Sequence, residues 1–149
     1  MNFERQGASV KKAREPCFLP VKDAFLAQTK LVAIIDDDKL VQTSMLSLVR
    51  SLGLQAKGFS SAEEFLKVRA DHKFDCVISD VQMPGVTGLQ LQRLLAEEGE
   101  APPMIMMTAF PSDQVRDQAF GAGAVCFIEK PVNGDKLEEC LEEVLGKLA

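Results

Sequence analysis

Five short apolar runs punctuate the chain: LVAII at 31–35, a weaker LQAKGF at 54–59, FDCVIS at 74–79, PMIMM at 103–107 and AVCFI at 124–128. Runs this short and this bulky suit strands buried on both faces of a parallel sheet. Between and after them the apolar period lengthens to three or four residues, the spacing of one helix face. Leu40, Val41, Met45, Leu48, Val49 and Leu52 form the first such face, with Gly53 as its C-terminal stop. SAEEFLKVRA follows, capped by Ser60 or Ser61, and a serine with glutamate three residues later predicts a capping box. The third face is Leu89, Leu91, Leu94 and Leu95; the fourth helix, SDQVRDQAF, is capped by Ser112 and closed at Gly121 or Gly123. The last helix buries Leu137, Cys140, Leu141, Val144, Leu145 and Leu148. Strand and helix thus alternate five times, which predicts an α/β domain: a five-stranded parallel sheet, doubly wound by right-handed crossovers into a three-layer sandwich.

Four of the runs end on polar groups. IIDDDKL ends in Asp36, Asp37 and Asp38, CVISD in Asp80, MIMMTA in Thr108 and VCFIEKP in Lys130. Strand carboxyl ends share one edge of a parallel sheet, and ligands bind in the crevice there. Singly, each residue has an ordinary structural explanation: Asp38 caps the first helix, a threonine at a strand end bonds to backbone, and a lysine before proline is a surface charge. Jointly they predict one acidic pocket with a lysine and a hydroxyl. Two of the three successive acids should face Asp80. Carboxylates about 4 Å apart repel by roughly 4 kcal/mol at an effective dielectric near 20, so the cluster must protonate, spread or bind a cation. Oxygen donors without nearby His or Cys fit magnesium better than zinc.

Composition narrows the setting. A chain of 149 residues is one ordinary domain, and no apolar run approaches the roughly 20 residues of a membrane span. The N-terminus carries no signal-peptide core, so the expected address is cytoplasmic, without membrane contact. Cys17, Cys76, Cys126 and Cys140 lack paired spacing, and the last three fall in apolar segments as reduced core thiols. His72 lies in a polar loop. Residues 1–30 carry net charge +3 and residues 31–149 carry −8, so the folded part is a poor match for a phosphate backbone and no direct nucleic-acid partner is expected. Residues 1–29 are expected to be a basic, disordered extension interrupted by Pro16 and Pro20, with a short helix over 21–28 as the alternative, and residues 30–149 the domain itself.

The segment from Leu31 to Ala149 resembles a response-regulator receiver domain of two-component signalling, on IIDDD, on SDVQMPGVTG with its D-x-x-M-P-x-x-x-G spacing, on MTA and on EKP in that order. The resemblance implies a flavodoxin-like sheet of order 2-1-3-4-5. It makes Asp80 the phosphorylated carboxylate and gives Mg2+ to Asp36, Asp37, Asp80 and the backbone carbonyl of Gln82, with Asp37 more direct than Asp36. Thr108 would bind a phosphoryl oxygen, Ala109 leave room for it and Lys130 pair with it, ahead of a cis peptide to Pro131. Phe127 takes the switch position where many relatives carry tyrosine, and Phe110 is expected to hinder water attacking the acyl phosphate. The implied partners are a sensor histidine kinase or histidine phosphotransfer protein and a downstream target, with a phosphorylation-dependent homodimer as a further state. The pattern ends with the fifth helix, so a stand-alone receiver with no output domain is expected.

Three other readings compete. A haloacid dehalogenase-type phosphatase also uses a strand-end Asp, Mg2+ and a lysine, but wants a second acid where Gln82 stands. A phosphorylation-independent binding module would be favoured by missing pocket residues, and none is missing. A dinucleotide site lacks its G-x-G-x-x-G after the first strand.

Overall fold

Each apolar run becomes a strand of one sheet. The computed structural model describes residues 30–99 and 101–146. Within them β1 (Leu31–Ile35), β2 (Gln55–Phe59), β3 (Cys76–Asp80), β4 (Met104–Thr108) and β5 (Cys126–Glu129) pair in parallel in the order β2-β1-β3-β4-β5. The connecting helices are α1 (Lys39–Ser51), α2 (Ala62–Val68) with a 3-10 turn at Arg69–Asp71, α3 (Gly88–Glu97), α4 (Asp113–Gly121) and α5 (Gly134–Leu145). The five-stranded, flavodoxin-like 2-1-3-4-5 arrangement is therefore present. The order reverses between β1 and β3, which are neighbours in register from Val32↔Cys76 to Ile35↔Ser79. That reversal opens the crevice in which such sheets bind ligands.

Successive residues of a strand point to opposite faces, and each face has its own core. Val32, Ile34, Ile78, Ile105, Met107 and Ile128 pack with Met45 and Val49 of α1 and Leu137 and Leu141 of α5. Ala33, Ile35, Val77, Met104 and Met106 pack on the other side with Phe65, Leu91, Leu95 and Ala119 of α2, α3 and α4. Each of the fully buried large side chains contributes roughly 1.5–3 kcal/mol by leaving water.

The helix faces differ from the pattern at particular positions. Leu40 is 80% exposed, while Gln42 joins Met45 and Val49 on the buried stripe. The cause is the cap: Asp38 accepts the N–H groups of Leu40 and Val41, which sets the first turn so that positions 42, 45 and 49 face inward. On α3, Leu91 and Leu95 are buried with Gln92, and Leu94 is 40% exposed. The capping box also falls elsewhere. Ser61 accepts the Glu64 N–H at 3.1 Å, but the Glu64 carboxylate returns to Ser60 N–H rather than to Ser61. The complete reciprocal pair is Thr87 with Gln90 at the start of α3. Val144 and Leu145 are only partly buried, and Leu148, Cys17 and the whole 1–29 segment lie outside the described residues. Among the described residues no helix is long and apolar enough to cross a membrane.

Cys76, Cys126 and Cys140 are free and buried. Burial, reinforced by the charges of Cys140 and Asp75, pushes the Cys76 thiol from 9.0 up to about 12. Burial raises Cys126 as well, helped by Cys140 and Glu143. A thiol whose folded pKa exceeds its unfolded value gives stability that is whole below the unfolded pKa and disappears as pH climbs to the folded one. The urea midpoint, followed by circular dichroism, should therefore hold steady up to about pH 8.5 and fall continuously above it. A flat midpoint to about pH 11 would contradict the coupling of neutral thiols to folding.

Candidate functional site

Asp36 follows the last residue of β1, and its N–H donates to the Phe59 carbonyl at 3.0 Å, which holds the chain over the sheet edge as it turns into α1. Its carboxylate is fully buried. Oδ1 accepts the Asp38 N–H at 2.8 Å, and Oδ2 lies 2.7 Å from Lys130 Nζ in an ion pair. Asp80 ends β3, one strand over. Its Oδ1 accepts the Gln82 N–H at 3.0 Å and its Oδ2 accepts from Lys130 Nζ at 2.7 Å. Asp37 is exposed beside them, and one carboxylate oxygen from each of Asp36, Asp37 and Asp80 lies within 4.8 Å of the other two.

Lys130 reaches the cluster because β5 ends beside β4: its N–H donates to the Thr108 carbonyl at 2.8 Å, and the peptide to Pro131 is cis. One ammonium thus joins acids from two neighbouring strands. Burial pushes the Asp36 carboxyl above its ordinary 3.8, with the Asp80 charge adding to the rise and Lys130 and the Asp38 N–H working against it. Burial by itself would lower the Lys130 pKa. The hydrogen bonds and charges of Asp36 and Asp80 outweigh it, and the net shift is upward. Lys130 therefore stays charged, and one lysine faces up to three carboxylates.

That imbalance and the all-oxygen donor set fit a hard divalent cation, with exposed Asp37 on the side open to water. The described residues bring Asp36, Asp37, Asp80 and Lys130 together. Thr108 is buried at the end of β4, but its Oγ1 accepts the Phe110 N–H at 3.0 Å, the backbone bond expected of any strand-end threonine. Ala109 and Gln82 are exposed at the rim. Phe127 stands apart from the acids: half-buried on the α2–α3–α4 side, its ring centroid is 6.4 Å from that of Phe120. Phe110 is 76% exposed, so its ring projects into solvent.

Two further residues support the site, Gln42 outside the motif and Gly88 at its end. Gln42 donates from Nε2 to the Asp36 carbonyl at 3.1 Å, a place it reaches through the 42, 45, 49 spacing that a reading of apolar residues alone passes over. Gly88, at the first position of α3, lies so close to β3 that a Cβ there would sit 2.3 Å from the Asp80 carbonyl oxygen. The closing glycine of SDVQMPGVTG was its only trace.

Known proteins resemble the chain in sequence and fold. The chain is 40% identical over 122 residues to the response regulator protein TmoT of Ectopseudomonas mendocina, a match covering 82% of this chain and 55% of that one. It is 32% identical over 114 residues to the transcriptional regulatory protein FixJ of Bradyrhizobium diazoefficiens, covering 76% and 56%. The chain spans about half the length of the curated relatives it matches. Among solved structures, a response regulator receiver protein from Burkholderia phymatum superposes with a TM-score of 0.73 at 40% identity, over 81% of this chain and 98% of that one. The structure titled FixJ-N does so with a TM-score of 0.73 at 31% identity, over 80% and 96%. The family model described as the response regulator receiver domain matches residues 32–142, the stretch that carries every acid and the lysine of the cluster, and the chain therefore belongs to that family.

Proposed function

We propose that Asp80 accepts a phosphoryl group from the phosphohistidine of a sensor histidine kinase or histidine phosphotransfer protein, and that the chain catalyses this uptake on itself. Receiver domains are phospho-accepting modules that interact with such donors and bind Mg2+ at an acidic pocket. The observation that carries the reading for this chain is Lys130 Nζ at 2.7 Å from both Asp80 and Asp36, inside a three-carboxylate cluster. An Asp80 carboxylate oxygen attacks phosphorus in line, the O–P bond forms as the P–N bond breaks, and the imidazole leaves with the bonding pair. Lys130 needs little movement to pair with the incoming phosphoryl oxygens. Asp36, Asp37, Asp80 and the Gln82 carbonyl would hold Mg2+, which when bound supplies positive charge against the equatorial oxygens.

The product then biases a two-state element. The Thr108 hydroxyl leaves the Phe110 N–H for a phosphoryl oxygen, and Phe127 turns into the space released, reshaping the surface of α4, β5 and α5. That surface would bind a target or a second copy of the chain, or the phosphoryl group would pass onward to a phosphotransfer histidine. With Thr108→Ala, target or self-association should become indifferent to phosphorylation. A variant that responds as the natural chain does would remove Thr108 from the switch.

Intact mass after incubation with acetyl phosphate tests the reading. The chain should gain one phosphate, roughly 80 Da, in Mg2+ and gain nothing when EDTA removes the metal. Folded chain that stays unmodified with both acetyl phosphate and a purified histidine kinase would leave a phosphorylation-independent binding module as the better reading.

A further inference from the structure

The one polar side chain on the buried stripe of α1 is Gln42, and its amide nitrogen is fully engaged. Nε2 donates to the carbonyls of Asp36 at 3.1 Å and Phe59 at 3.0 Å, with Ser60 Oγ at 3.4 Å. Both near acceptors are main-chain oxygens, which can only accept, so the amide can point just one way. Its oxygen is then directed at β2, where a Cβ on Gly58 would lie 2.4 Å from Oε1. β2 carries a glycine where the amide enters, in register with Ile34 of β1. The Phe59 carbonyl also accepts the Asp36 N–H at 3.0 Å. The Asp36 residue is therefore held at both ends, its N–H by Phe59 and its carbonyl by Gln42, with Gln42 tying the two acceptors together. Burying an amide on an apolar stripe is unfavourable unless it is satisfied. Here both N–H groups are satisfied, one by the Asp36 carbonyl of the loop that carries the acids and one by the Phe59 carbonyl at the end of β2.

We infer that Gln42 is a positioning residue for the acidic pair: by fixing the Asp36 peptide it sets where the Asp36 and Asp37 carboxylates stand relative to Asp80, and Gly58 makes room for it. The inference rests on the phospho-acceptor reading and identifies a residue that acts on that site without touching phosphoryl group or metal. Partners that orient metal ligands from behind change affinity by about 10- to 100-fold when removed.

Three variants separate this role from simple packing. Gln42→Met keeps the length and removes the donors; Gly58→Ala leaves Gln42 in the chain and displaces its amide; the third carries both changes. Each single variant should weaken Mg2+ binding, measured by calorimetry on the folded protein, by about tenfold. The double variant should be no worse than the weaker single, because both changes break one interaction. The rate of phosphate gain from acetyl phosphate should fall at low Mg2+ and return to the natural value at saturating Mg2+. In metal-free protein, the Asp36 and Asp38 amides should exchange with deuterium about tenfold faster, while Ile34 stays protected as before. Unchanged Mg2+ affinity together with uniform loss of protection would reduce Gln42 to a packing residue and overturn the inference. If the natural chain takes no phosphate on Asp80, the phospho-acceptor reading fails, and the metal-free exchange of Asp36 and Asp38 still decides whether Gln42 holds the loop.

Discussion

With asparagine at position 80, the mass gain from acetyl phosphate should vanish while the fold persists. A carboxamide oxygen carries no negative charge and is a far weaker nucleophile, so the O–P bond is not made. The structure gives reasons for the fold to survive. Asparagine keeps an oxygen for the Gln82 N–H, which Asp80 Oδ1 now accepts at 3.0 Å. Its NH2 group would face Lys130 Nζ where Oδ2 now accepts at 2.7 Å, two donors in apposition, so Lys130 would lean toward Asp36. Removing one of three clustered carboxylates also relieves their mutual repulsion, and the melting temperature should be unchanged or higher. The check is intact mass beside a thermal melt of the same sample. Phosphate retained in the variant would move the acceptor to another acid, and Asp36 and Asp37 would be the next to replace.

Alanine at position 88 should be the more damaging change to the fold. The added Cβ would meet the Asp80 carbonyl oxygen at 2.3 Å, the Ser79 Oγ at 3.1 Å and the Asp80 carbonyl carbon at 3.2 Å. None of these is the loose end of a flexible side chain. β3 is paired with β1 as far as Ser79 and with β4 through Asp80, and the Val81 N–H donates to the Met107 carbonyl just beyond, so the strand end is held against moving away. Separating α3 from the strand would also strain the Gly88 N–H bond to the Val81 carbonyl, now 3.1 Å. Overpacking of this kind costs about 1–3 kcal/mol, and backbone as the obstacle argues for the upper end. Gly121→Ala is the control: nothing lies within 4 Å of a Cβ there, and alanine inside a helix favours the fold by up to about 1 kcal/mol. Urea melts should separate the two variants widely. Equal midpoints would mean that α3 can lift from β3 freely. Because the clash falls on Asp80 itself, the phosphate gain should slow in whatever Gly88→Ala remains folded.

How far the sequence could be read follows from which interactions are local. The runs of β1, β3 and β4 were legible because a strand buried on both faces must be apolar throughout, and the edge strand β2, exposed at Gln55 and Lys57, read more weakly for the same reason. The strand-end acids and the lysine were legible because strand direction alone sends them to one edge. Helix faces were less so. Leu40 and Leu94 share the chemistry of their buried neighbours, and only the phase set by the Asp38 and Thr87 caps turns them outward. Gln42 and Gly58 were illegible for the opposite reason, since each makes sense only when the other is seen across the gap between α1 and β2. The misplaced capping box is the same lesson at short range: Glu64 had two serines to choose from, and backbone geometry gave it Ser60.

The two-faced sheet also makes the molecule easy to listen to. Met106 and Met107 are consecutive on β4, yet they belong to opposite cores, with Met104 on the side of Met106 and Met45 on the side of Met107. Their methyl groups are therefore separate spectroscopic channels, two on the α1–α5 side and, with Met83, three on the other. With methionine methyls labelled for NMR, a disturbance entering from α1 or α5 would register at Met45 and Met107, and one entering from α3 or α4 at Met83, Met104 and Met106. The resonances would tell from which side of the sheet a partner or a modification is acting.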